Sequence, residues 1–238
     1  MNLADRIPHR KSVRKYLKQP ASPEVLAQIK AFSEQLQPLD SNIRVQCDIL
    51  REGQFTIHMP WSAPYALALY SEERGQWAEN IGFLFQQMDL FLQSMGLGSC
   101  WVGMGSPVKQ PVPEGMRFVI LLVFGYPAAA AERPGPEAFR RKSLSDISDR
   151  PDPLLEPARL APSSINCQPW FFIHTENRYD AYRLTKGIRL LAGSELMNRI
   201  DMGIALGQLY AANADTFRYF NTNAPACKGM IYTGSFII

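Results

Sequence analysis

Apolar residues recur at intervals of three and four from Glu79 to Met95, at Ile81, Leu84, Phe85, Met88, Leu92 and Met95. That period predicts an α-helix. Its other positions are partly apolar as well (Phe83, Leu90, Phe91), which predicts burial on most sides. Gly96-Leu97-Gly98 then reads as a stop, because glycine readily takes the left-handed backbone that closes a helix. An earlier helix starts at Ser22-Pro23-Glu24 and continues through Val25, Leu26, Ile29 and Phe32. There Ser22 is the N-cap, Pro23 suits the first turn and Glu24 favours the positive end of the dipole. A strand is expected over Ile43 to Leu50, with imperfect alternation. The longest apolar run, Phe118 to Phe124, lies in a second strand over Arg117 to Gly125, closed by a turn at Tyr126-Pro127. A short loop is expected between Gly98 and that strand. Ala128 to Pro153 is rich in Ala, Pro, Ser and charge and has no sustained period, so it reads as a linker. Beyond it the pattern predicts a short helix at Leu154 to Leu160, a polar loop, a strand at Trp170 to His174, a long helix from Glu195 to Phe217, and a closing strand from Met230 to Ile238.

The two long helices resemble each other. Asn80 to Met88 aligns with Asp201 to Leu209 at an offset of 121 residues, Gly82 to Gly203. Gly115-Met116-Arg117-Phe118 aligns with Gly229-Met230-Ile231-Tyr232 at an offset of 114. Arg10-Lys11-Ser12-Val13 aligns with Arg141-Lys142-Ser143-Leu144 at an offset of 131. The offset falls along the chain, as it would if a second copy were shorter than the first. A true duplication implies two similar α+β units packed about a pseudo-twofold axis, as in a dimer whose subunits have become fused. Amphipathic helices with small residues also look alike by composition alone.

The length, 238 residues, allows one large domain or two small packed ones with a substantial core. A hydrophobic share of 46% excludes wholesale disorder and a fibre. The net charge of +3 is too small and too dispersed for a nucleic-acid partner. The basic clusters Arg10-Lys11, Arg14-Lys15 and Arg140-Arg141-Lys142 suit either a single phosphate group or a solvated surface. The four cysteines form no CxxC pair and the three histidines are scattered, so neither a zinc site nor a disulfide framework is expected. Reduced thiols in a cytoplasmic protein are the simplest account. The first residues have no apolar core of a signal peptide, and no apolar stretch approaches the roughly 20 residues a bilayer needs.

Two segments carry candidate chemistry. Arg10, Ser12 and Arg14 stand two apart, and in an extended segment they share one face. Two guanidinium groups and a hydroxyl could converge there on a monophosphate dianion. A basic strand with no ligand has the same spacing. Ala161-Pro162-Ser163-Ser164-Ile165-Asn166-Cys167-Gln168-Pro169-Trp170 is a polar loop running into an apolar strand. Its uncharged hydroxyls and amides suit the edge of a planar heterocycle with mixed donors and acceptors. They also suit a capped turn.

Together these segments resemble the FMN-dependent nitroreductase family. Arg10 to Arg14 is similar to its Arg-x-Ser-x-Arg phosphate motif, and Ala161 to Trp170 to its Ala-Pro-Ser-x-x-Asn-x-Gln-Pro-Trp segment. Gly96-Leu97-Gly98-Ser99-Cys100-Trp101-Val102-Gly103 resembles the family's helix-to-loop segment beside the flavin, and Val123 to Pro127 the strand that follows. The order departs from ordinary members, where the Ala-Pro-Ser segment follows the first helix. Here that place holds Gln37-Pro38-Leu39-Asp40-Ser41-Asn42. Ordinary members are dimers whose two motifs reach one flavin from different subunits, so the chain resembles the fused, pseudo-dimeric subgroup, the TM nitroreductases. The resemblance implies an α+β, nitroreductase-like fold with a first half over 1–135 and a shortened second half over 136–238. One intact flavin site is then expected, since the second half lacks the glycine-rich loop after its long helix.

Carried over residue by residue, the resemblance assigns Arg10, Ser12 and Arg14 to the FMN phosphate and ribityl end, with Arg141 as a weaker phosphate candidate. Ser163, Ser164, Asn166 and Gln168 would lie along the isoalloxazine or ribityl chain, and the backbone at Val102 and Gly103 would approach the ring. It further implies electron transfer from NADH or NADPH to a small acceptor such as a nitroaromatic or quinone, in a monomer or homodimer. In such enzymes the flavin does the hard chemistry, and no side chain is assigned as acid or base. Cys167 reads as a buried structural thiol. Two other readings stand beside this one. A carrier or sensor would bind FMN but close its stacking face, for which Trp61, Trp77 or Trp101 are candidates. A decayed site would leave a scaffold for a partner.

Overall fold

The apolar run at Phe118 to Phe124 forms strand β6 (Arg117–Gly125), buried from Val119 onward. The structure, a computed structural model, describes residues 2–185 and 195–238. Beside β6 runs β3 (Tyr65–Ser71), every residue of which is buried. β3 has no counterpart among the elements expected from periodicity, and the physical reason is plain. Leu67 and Leu69 pack in the main core, while Ala66, Ala68 and Tyr70 pack in a second cluster on the opposite face of the sheet. A strand covered on both sides shows no alternation. With β1 (Val45–Arg51) and β4 (Gly98–Val102) these strands make an antiparallel sheet in the order β1-β3-β6-β4. The segment after Gly98 is therefore a strand rather than a loop. A small pair, β2 (Phe55–Ile57) with β5 (Gly105–Pro107), lies alongside.

The second sheet contains β7 (Trp170–Thr175), β8 (Arg178–Leu184), β10 (Met230–Ile237) and β9 (Arg218–Phe220), paired in that order and antiparallel. Its elements follow the sequence strand, strand, helix, strand, strand, as do β1, β3, α2 (Trp77–Ser94), β4 and β6 in the first sheet. The helix of the second set is α5 (Glu195–Ala212). It ends five residues before the expected Phe217. The N–H groups of Thr216 and Phe217 turn back onto the carbonyl of Asn213, and Phe217 stacks on Phe236 instead of extending the helix.

Helices α2 and α5 cross at glycines. A Cβ at Gly82 would run into the carbonyl oxygen of Ile200, and one at Gly203 into the carbonyl oxygen of Glu79. Ile200 follows Glu79 by the same 121 residues that separate the two glycines, so the contact is reciprocal, as across a twofold axis. The second aligned pair also occupies equivalent places. Gly115 (φ 72°) and Gly229 (φ 81°) sit in turns before β6 and β10. In each turn the following methionine N–H reaches a carbonyl three residues back, at 3.1 Å. The third alignment has no such counterpart. Ser12 bridges in parallel to Ser99 of β4, whereas Ser143 caps α3 (Leu144–Ile147) in a capping box with Asp146.

α1 (Pro23–Ser33) begins at Ser22 as expected and stacks Phe32 on Phe91 of α2, ring centroids 3.9 Å apart. The stretch read as a linker is packed: Phe139 and Ile147 are buried, and α4 (Glu156–Leu160) follows it. One continuous apolar core contains Leu67, Ile81 and Leu122 together with Trp170, Ile204 and Phe236. Among the described residues no helix is long and apolar enough to cross a membrane.

Candidate functional site

A cavity of about 510 Å³ opens where the end of β4 meets the polar loop and the start of α5. The N-terminal segment reaches it by running beside β4, with Val13 N–H bonded to the Ser99 carbonyl at 2.9 Å. Ser12, Arg14, Trp101, Val102 and Gly103 line one side, and Ser163, Ser164, Ile165, Met197 and Asp201 the other.

Spacing by two predicted that Arg10, Ser12 and Arg14 share a face. Ser12 and Arg14 do line the cavity, but Arg10 is buried behind them. Its Nε donates to Asp89 Oδ2 at 2.6 Å, and both residues are almost inaccessible. Ser99 Oγ donates to the other Asp89 oxygen, and Gln86 Nε2 donates to Oδ2. Arg10 Nη2 then donates to Ser12 Oγ at 3.1 Å. The inward turn follows from Asp89, whose buried charge requires a cation.

The Ser/Asn loop divides in the same way. Ser163 and Ser164 line the cavity. Asn166 instead accepts from Arg141 Nη1 at 2.6 Å and donates to the Arg140 carbonyl. Gln168 is buried, accepts from the Lys142 N–H at 2.8 Å, and offers its carbonyl to Lys142 Nζ. Asn166 and Gln168 thus fasten the loop to residues 140–142. The loop holds three of the four non-glycine residues with positive φ among those described: Ile165 (47°), Asn166 (57°) and Gln168 (50°).

Arg141 belongs to a cationic group that sequence reading saw only in part. Its pKa is lowered to about 10, by burial first and then by repulsion from Arg10, Arg133 and Arg159. Arg133 is lowered by burial first and by Arg10 second. The guanidinium carbons of Arg133 and Arg141 lie 4.5 and 5.5 Å from the Phe139 ring centroid. Arg10 and Arg159 have carboxylate partners, Asp89 and Glu156. Among the described residues no carboxylate pairs with Arg133 or Arg141, and the buried Nε of each lacks a hydrogen-bond partner. Unpaired buried donors of positive charge fit an anion. Arg133 gave no signal in the sequence, because it sits in a stretch without period.

Asp201 was also missed as a site residue. Both its oxygens lie 3.0 Å from the Ser164 N–H, and Cys167 Sγ lies 3.4 Å from Oδ2. Burial drives its pKa up to about 7, against the lowering effect of the Ser164 N–H and the Cys167 thiol. The Cys167 thiol is pushed up to about 12, by burial first and Asp201 second, which keeps it protonated and unreactive. The alignment of Asn80 with Asp201 was the available signal.

Gly103 faces a side chain of α5, since a Cβ there would come within 2.9 Å of Met197 Sδ. Trp61 and Trp101 line the cavity, and Trp101 Nε1 donates to Gln86. Trp77 does not. It receives the guanidinium groups of Arg117 and Arg199, and so is removed from the candidates for closing a stacking face.

A family pattern described as "Putative TM nitroreductase" matches residues 2–213. Among solved structures, a "putative nitroreductase" from Thermotoga maritima is 20% identical. It covers 100% of this chain and 94% of its own, with a TM-score of 0.69. A nitroreductase family protein from Clostridium difficile 630 is 16% identical over 61% of this chain and 95% of its own, TM-score 0.48. A nitroreductase with bound FMN from Desulfitobacterium hafniense DCB-2 is 14% identical over 60% of this chain and 100% of its own, TM-score 0.45. No curated protein matches the chain. The fold is α+β and nitroreductase-like, and by a match that runs over nearly its whole length the chain belongs to the TM nitroreductase family.

Proposed function

We propose that this protein is an FMN-dependent oxidoreductase that takes electrons from NADH or NADPH and passes them to a small acceptor such as a nitroaromatic or quinone. The observation that carries the reading is the pairing of a largely apolar cavity, lined by Ser12 and Arg14, with two half-buried guanidinium groups, Arg133 and Arg141, that no carboxylate among the described residues neutralises and that lie close enough to Arg10, the partner of Ser12, to feel its charge. Arg133 and Arg141, with Arg14 and the Ser12 hydroxyl that Arg10 braces, would hold the phosphate. Ser163 and Ser164 would offer hydroxyls to the flavin, and the backbone at Val102 and Gly103 would approach its ring. Asn166 and Gln168 would act by holding that loop in place. The flavin supplies the electron-carrying chemistry, while the chain binds, orients and excludes water. The reading extends to a fused pseudo-dimer with halves 1–135 and 136–238 and a single site, which would allow a monomer.

The test is the visible absorption of the purified protein titrated with FMN, then with NADH and with NADPH under anaerobic conditions. Tight binding and bleaching by one donor are expected, and absence of binding would sink the site assignment. Arg141→Ala should weaken FMN on the order of ten- to a hundredfold, the worth of a hydrogen bond to a charged group. A second reading, a carrier that binds FMN without turnover, draws on Met197, which covers Gly103. Bound flavin that neither donor bleaches would favour it.

A further inference from the structure

The loop from Ser163 to Gln168 holds a conformation that resists itself. Left-handed φ values at Ile165, Asn166 and Gln168 cost energy, most of all for a β-branched residue. Such a loop persists only if its surroundings hold it. The later part is fastened twice, by Arg141 on Asn166 and by Lys142 on Gln168. The earlier part, which forms the cavity wall, is fastened to α5 by Asp201 through the Ser164 N–H.

A carboxylate is a costly choice for that task. Asp201 is 4% exposed, and among the described residues no cation pairs with it. A neutral amide can do the same work, as the first half demonstrates. Asn80, 121 residues earlier, accepts the N–H groups of Leu39 and Asp40 at 2.8 and 3.1 Å, in a loop that lies away from the cavity. The carboxylate appears only where the held loop lines the cavity.

We propose that Asp201 is the positioning residue of the cavity wall, fixing Ser163 and Ser164 through the Ser164 N–H, and that its charge sets how firmly the wall is held. The inference deepens the flavin reading and rests on it for the identity of what the wall meets. The groups facing Asp201 are Ser164 and Cys167 from the loop, with Asn198 of α5 bonded to the same thiol. Lys142 stands next to Cys167, and Arg14 lines the same cavity. An ionised acceptor binds an N–H more strongly than a neutral one. With its pKa raised to about 7 by burial, Asp201 passes from acid to anion near neutral pH. The wall is therefore looser below that point and firmer above it.

The experiment follows hydrogen exchange at the Ser164 amide in cofactor-free protein between about pH 6 and pH 8, corrected for intrinsic exchange, alongside FMN titration. Wild type should gain Ser164 protection as pH rises, while Asp201→Asn should keep moderate, pH-independent protection. Asp201→Ala should exchange at Ser164 at least about tenfold faster, the worth of one charge-assisted hydrogen bond, with β7 and α5 amides unchanged and FMN weakened. The proposal is overturned if Asp201→Ala leaves Ser164 protected, or speeds all amides together as a packing defect would. If Asp201→Ala does not fold, wild type against Asp201→Asn decides: the same pH response in both overturns it. Failure of wild type to bind FMN would remove the flavin reading, and the amide measurement would still judge Asp201.

Discussion

Arg10 shows what a single residue's neighbours in sequence do not reveal. Its place in an Arg-x-Ser-x-Arg spacing was legible, but its direction was set by Asp89, 79 residues away. Asp201 is the same lesson with the opposite charge, and it gives a stability prediction whose sign can be worked out. Its folded pKa, about 7, lies above the ordinary 3.8 that the unfolded chain would show. Between about pH 4 and pH 7 the native state keeps a proton that the unfolded state has released. Asp201 thus contributes stability that is fully present below about pH 4 and is lost as pH rises through 7, by at most roughly 1.4 kcal/mol per unit. Urea unfolding of Asp201→Asn against wild type should therefore show the variant gaining on wild type from pH 5 to pH 7.5. A constant difference across that range would mean that Asp201 is already ionised at pH 5.

At the scale of elements, the helix crossing offers the sharpest test. Glycine to alanine inside a helix ordinarily stabilises by about 1 kcal/mol. At Gly82 and Gly203 the added methyl meets backbone carbonyls of the other helix, which cannot rotate away. Each substitution should instead destabilise, by about 1–3 kcal/mol or more, as overpacking does. The two losses should be similar because the contact is reciprocal, and chemical denaturation of the two variants measures both. The helices themselves were readable from the three- and four-residue spacing of their apolar positions, even though α2 is buried on nearly every side. Strand β3 was not readable, because burial on both faces erases alternation, and α5 stopped early because Asn213 offers its carbonyl to a turn.

At the scale of the molecule, α2 and α5 share one core, and each sheet closes over it from its own side. Neither set of elements can hide its helix face alone. Fragments 1–135 and 136–238, produced separately, should each lack a cooperative melt by circular dichroism, and should regain one when mixed. Cooperative melting of either fragment by itself would show two independent domains instead. FMN, if bound at the cavity, should raise the melting temperature of the joined protein with the logarithm of its concentration above Kd.

What the sequence determined by itself was local and periodic: two long helices, their repeat, the buried β6, the stop at Gly96, and the two short motifs with the residue types that suit a phosphate and a flavin edge. These are set by neighbours within a few positions, or by copies of one pattern. What only the tertiary structure decided was which of those residues reach the cavity. Arg10 and Gln168 turn inward and Asn166 turns onto Arg141, while Asp201 and Met197 arrive from elsewhere. The reason is physical. A buried charge or amide goes where its partner stands, and the partners here lie tens of residues away: Asp89 and Asp201 on helices whose meeting point is fixed by two glycines, Arg141 and Lys142 in the segment before α3.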